Sequence, residues 1–200
     1  MDGGEARAHI PKNQYFCLVR PLIAILLLAS CAVVETEAPP DGYAIPVNDK
    51  FFQGEVSLVR LPISQGFKVV LTDSAGETSD EAIFRYTPYH LDTADVNRDG
   101  RTDVLVGLIK PTEFDPVERK RLFILRIDDG GLRPLWLGSK VCQELINFKT
   151  QANGKVLTLE KTKKDQYAIG LYHWETFGLT LIHYLYDEMS QYEAIKRFNR

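Results

Sequence analysis

The sequence predicts an all-β body of antiparallel hairpins and meanders, closed by a short C-terminal helix. Three observations lead there. From about Phe51 the chain runs in short apolar-alternating segments bounded by Gly, Pro, Asn and Asp, the pattern of half-buried strands. Successive segments in the second half are joined by links of a few residues, which makes neighbours pair antiparallel. No long helical stretch lies between them, so a parallel sheet would lack its crossover.

The elements follow in order. Glu55–Leu61 and Phe67–Thr72 alternate and are bounded by Pro62, Gly66 and Gly76. Ser74–Glu81 is polar and acidic and reads as a loop, and Ala82–Tyr86 as a further strand. A strand near Leu91–Ala94 leads into an Asp-rich loop. Thr102–Ile109 is almost wholly apolar, as a strand buried on both faces requires. Arg121–Ile127 and Leu132–Leu137 flank Asp128-Asp129-Gly130-Gly131, whose glycines suit a tight reversal. Val141–Thr150 and Lys155–Lys161 meet through Asn153-Gly154, the strongest short hairpin signal. Tyr167–Trp174 and Leu179–Tyr186 flank a turn at Glu175–Gly178. Only the end reads as helix: Met189, Tyr192, Ile195 and Phe198 recur every three residues, with Asp187 or Ser190 as N-cap.

The N-terminus is of another kind. Arg7, Lys12 and Arg20 precede an apolar run, Pro21–Ala29, of signal-peptide length and short of the ~20 residues that span a bilayer. It ends in Leu28-Ala29-Ser30-Cys31, which resembles the lipobox of bacterial lipoproteins. The resemblance implies cleavage before Cys31, diacylation of its thiol and a mature protein tethered by lipid. Ala32 stands where an Asp would mark retention in the inner membrane, so the resemblance implies the outer membrane of the bacterial envelope. Residues 1–30 are then the leader and 31–46 an extended tether containing Pro39, Pro40, Gly42 and Pro46. Residues 47–186 are the β-domain and 187–200 a helical tail.

Composition narrows the function. The chain has 24 basic and 27 acidic side chains, a formal net charge of −3, with no basic stripe for nucleic acid. Of its three cysteines, Cys17 leaves with the leader and Cys31 takes lipid. Cys142 therefore has no disulfide partner, and its apolar surroundings predict a small buried side chain.

One motif carries chemistry. Asp95-Val96-Asn97-Arg98-Asp99-Gly100-Arg101-Thr102-Asp103 sets oxygen-bearing side chains at alternate positions with a glycine after the third. Calcium takes six to eight hard oxygen ligands, which such a loop can supply by wrapping round the ion. An EF-hand is excluded, because its twelfth position, a bidentate Glu, would here be Val106. The run Thr93–Gly107 resembles an FG-GAP or VCBS-type repeat, which carries a calcium loop between strands and builds β-propellers. The resemblance implies Asp95, Asn97, Asp99 and Asp103 as ligands, with the Arg101 carbonyl. The motif occurs once, so it implies a partial or irregular propeller-like stack; a sandwich is the alternative. Arg98 and Arg101 lower the local negative potential, and affinity on the order of 10⁻⁴ M is expected.

Catalytic signatures are sparse. The sequence has no Gly-x-Ser-x-Gly elbow, phosphate-binding glycine loop or His-Glu-x-x-His pair. His173 and His183 lie on adjacent strands and read as sheet residues. Glu175 beside Trp174 is the one acidic-aromatic pairing of interest for a hydrolase. Tyr172, Trp174, Tyr184 and Tyr186 read chiefly as sheet packing. The expected function is a non-catalytic, lipid-anchored binding or scaffolding module, stiffened by calcium and facing an envelope protein or glycan. The alternatives are an envelope hydrolase or its accessory subunit, and an assembly factor docking through an apolar stripe at Met189, Tyr192, Ile195 and Phe198.

Overall fold

The computed structural model describes residues 43–62, 66–113, 115–138 and 141–200. The lipobox with Cys31, and the tether up to residue 42, lie outside the described residues. Among the described residues, twelve strands form three four-stranded antiparallel meanders. The first contains β1 (Ala44–Asn48), β2 (Gln53–Arg60), β3 (Phe67–Asp73) and β4 (Thr78–Phe84). The second contains β5 (Thr87–Ala94), β6 (Asp103–Thr112), β7 (Asp115–Asp128) and β8 (Gly131–Trp136). The third contains β9 (Glu144–Thr150), β10 (Val156–Lys161), β11 (Tyr167–Glu175) and β12 (Gly178–Met189), and α1 (Gln191–Phe198) follows. In every sheet spatial order equals chain order, as short connections dictate. The described residues make an all-β, propeller-like stack with one short C-terminal helix and no closed barrel.

Side-chain alternation explains the stacking. Val56, Leu58, Val69 and Leu71 of the first sheet pack on Leu91, Val104, Val106, Phe123 and Leu125 of the second. The opposite face of the second sheet, with Tyr89, Leu105, Leu122 and Ile124, packs on Leu145, Phe148, Val156 and Tyr172 of the third. The far face of the third, through Leu157, Leu159, Ile169 and Leu171, receives Ala194 and Phe198 of α1. The middle sheet is thus covered on both sides. That is why Val104–Leu108 is continuously apolar and buried, even though its pairing is antiparallel.

Several boundaries differ from those expected. Ala44–Pro46, assigned to the tether, belong to β1, an edge strand where proline is tolerated. Thr78–Glu81, read as loop, open β4, because their acidic side chains find partners. Asp80 accepts from Leu132 N at 2.8 Å and Glu81 meets Lys68 at 2.5 Å. Asp187–Met189 continue β12 rather than beginning the helix. Three register shifts let the twelve residues of β12 pair with the nine of β11. Ser190 is the N-cap, in a capping box with Glu193.

Cys142 is exposed, not buried. Val141–Gln143 lie ahead of β9, where Cys142 N donates to the Tyr172 hydroxyl (3.1 Å) and Gln143 N to Glu160 (2.8 Å). The thiol is left outside. The apolar stripe expected on the helix is likewise used internally. Met189, Ala194 and Phe198 are buried and Ile195 packs beside them, while Tyr192 alone of the four expected residues stands out, 73 % exposed. An assembly factor docking through that stripe loses its basis.

Candidate metal centre

Residues 95–102 link β5 to β6 and reverse the chain through two left-handed residues, Arg98 (φ 61°) and Gly100 (φ 83°). The loop's acidic side chains turn inward on its own backbone. Asp95 accepts from Asp99 N at 3.1 Å with one oxygen and from Gly100 N at 2.9 Å with the other. Asn97 Oδ1 also accepts from Asp99 N (3.2 Å), and its amide donates to Asp99 Oδ2 (3.0 Å). Asp99 Oδ1 accepts from Arg101 N at 2.9 Å.

Asp103 opens β6 and is fully buried, 0 % exposed. Its Oδ2 accepts from Val96 N at 3.0 Å. Its Oδ1 is buried without a hydrogen-bond partner among the described residues. Burial pushes the Asp103 carboxyl up to about 7, the charges of Asp99 and Asp95 push the same way, and the backbone N–H groups of Val96 and Asn97 pull against them, the latter without a well-formed hydrogen bond. A buried carboxylate oxygen with no well-formed hydrogen bond is costly, and a cation beside three mutually repelling carboxylates would reduce that cost.

The donor chemistry therefore fits a hard cation: carboxylates at 95, 99 and 103, an amide oxygen at 97 and a backbone carbonyl at 101. Among the described residues no three acidic, histidine or cysteine side chains already converge as a ligand set. Binding would require Asp95, Asn97 and Asp99 to rotate from their backbone partners toward the Oδ1 of Asp103. Arg101 does not neutralise these carboxylates. Its guanidinium pairs with Asp128 at 3.2 Å and stacks 4.0 Å from the centre of the Phe51 ring.

The chain matches no family model, no curated protein and no solved structure. The likeness of Thr93–Gly107 to FG-GAP repeats rests on those residues alone.

The other candidates are placed as follows. His173 pairs with Thr180 and His183 with Leu171, so the two are not opposite one another. His173 lies 4.0 Å from the exposed Glu175. Tyr172 is 1 % exposed, and its hydroxyl donates to Glu160 at 2.7 Å. Tyr184 donates to the same carboxylate at 3.2 Å. Tyr172 is thus buried in the sheet, whereas Tyr184 is half-buried.

Glu160 itself was missed from sequence. It is fully buried on β10 and also accepts from Thr158 Oγ1 at 2.6 Å and Gln143 N at 2.8 Å. Its only sequence signal was an acid in the otherwise buried run Val156–Glu160. His90 was also passed over. Its ring abuts Phe148 edge-on at 4.8 Å, and its Nε2 is buried without a hydrogen-bond partner among the described residues.

Proposed function

We propose that this chain is an exported, lipid-anchored protein of the bacterial envelope. Its β-domain serves as a non-catalytic binding or scaffolding module and is stabilised by calcium in the Asp95–Asp103 loop. The observation that carries the calcium reading is the buried, unpartnered Oδ1 of Asp103 beside the charges of Asp95 and Asp99. Leu28–Cys31 supports the anchor, and Ala32 the outer membrane.

Thermal melting in calcium and in chelator tests the ion. With a Kd on the order of 10⁻⁴ M, calcium at about 1 mM should add about 1.4 kcal/mol. For a domain of this size that raises Tm by about 3–5 °C. Identical melting curves would refute the calcium reading. Labelled palmitate should enter the protein in a bacterial host and be lost in Cys31→Ser. Unlabelled wild-type protein would refute the anchor.

A further inference from the structure

The ion loop is gripped at both ends by sheets other than its own. At its C-terminal end, Thr102 N donates to Asp49 Oδ2 at 2.7 Å. Asp49 lies in the turn between β1 and β2, where its other oxygen accepts from Phe51 N at 2.7 Å and Phe52 N at 2.9 Å. Burial pulls this carboxyl upward, but the bonds from Phe51, Thr102 and Phe52 outweigh it and hold the group below its ordinary range. Phe51 of the same turn lies beneath the Arg101 guanidinium.

At its N-terminal end the loop meets the turn between β9 and β10. Gly154 (φ 74°) sits so close to the Asp95 carbonyl that a Cβ would lie 2.1 Å from the oxygen. Only glycine combines that φ with that approach. The same hairpin grips the strand entering the loop. Thr150 N donates to Asp92 Oδ2 at 2.7 Å, and the Thr150 hydroxyl donates to the Thr93 carbonyl at 3.2 Å.

A loop with both ends fixed has less conformational entropy to lose when its ligands converge. Linkage makes the coupling mutual: whatever the neighbouring sheets add to ion affinity, the ion returns to their attachment. We propose that a divalent cation in this loop fastens all three sheets to one another. Asp49 from the first sheet and the Gly154 hairpin from the third are its positioning contacts. This rests on the calcium reading above and extends it from a local brace to the two sheet junctions.

Hydrogen exchange on the full chain, in calcium chloride and in chelator, tests it. Calcium should slow exchange at residues 95–103, and also at 48–52 and 150–154. Asp49→Asn keeps one oxygen for its own turn but sets an amide N–H2 where the second was. Its calcium affinity, by calorimetry, should fall roughly tenfold, a coupling of ordinary size, while calcium still protects 150–154. Protection confined to 95–103 would overturn the fastening and leave the calcium reading standing. No calcium effect anywhere would overturn both. Unchanged affinity in Asp49→Asn would overturn the role given to Asp49. The exchange pattern of the unsubstituted chain tests the fastening without the variant.

Discussion

Replacing Asp103 by Asn should stabilise the calcium-free protein and abolish its response to calcium. In chelator at pH 8 the native protein holds this side chain ionised, fully buried and beside two like charges. Its carboxyl is raised to about 7 from an ordinary 3.8. Because the folded value is the higher, the group's stabilising contribution is complete below about pH 4 and is lost as pH rises through 7. A shift of about three units corresponds to about 4 kcal/mol at most. Asn preserves the size of the side chain and an acceptor for Val96 N, and it removes the charge. Allowing for local relaxation around a buried charge, Asp103→Asn should stabilise the calcium-free protein at pH 8 by about 1–3 kcal/mol. At pH 5, where Asp103 is protonated in the folded chain but still mostly ionised in the unfolded one, the gain should fall to roughly two-fifths of its pH 8 value. In calcium the wild type gains about 1.4 kcal/mol while the variant, lacking a ligand, gains nothing, so the variant's advantage narrows by that amount. Urea melts at pH 5 and 8, with calcium or chelator, contain all four comparisons. A variant less stable than wild type in chelator at pH 8, or one that keeps the full calcium response, would refute the reasoning.

Glu160→Gln should cost about 2–4 kcal/mol, because an amide N–H2 would face side-chain and backbone donors that now meet a carboxylate. A loss below about 0.5 kcal/mol by urea denaturation would show that the cluster is not maintained as a unit. His90 predicts a separate pH effect. Burial lowers its pKa below 6.5, with Asp92 opposing. Its contribution is therefore present above pH 6.5 and is lost as pH falls toward its lowered native value. His90→Leu should remove that part of the acid sensitivity, and an unchanged profile of stability between pH 7 and 5 would count against it.

The parts of the fold governed by local chemistry were legible in the sequence. Asn153-Gly154 and Asp128–Gly131 marked their hairpins, and the apolar run after Thr102 marked a strand with no exposed face. Errors fell where distant partners override local preference. Asp80 and Glu81 join a strand because Leu132 and Lys68, remote in sequence, receive their carboxylates. Cys142 sits in apolar-looking sequence, yet Glu160 and Tyr172 hold the backbone on either side of it and leave the thiol outside. In the Asp95–Asp103 loop the alternating oxygens at 95, 97, 99 and 103 were visible. Asp49 was not, because nothing local says that its carboxylate reaches Thr102, 53 residues away.

A sheet with neighbours on both sides has no water-compatible surface of its own. If the chain were cut after Trp136, Tyr89, Leu105, Leu122 and Ile124 would lose their cover and form a sticky plane. Soluble fragments should therefore be hard to obtain by deleting the C-terminal third. During synthesis, that face of the middle meander stays uncovered until the last four strands arrive.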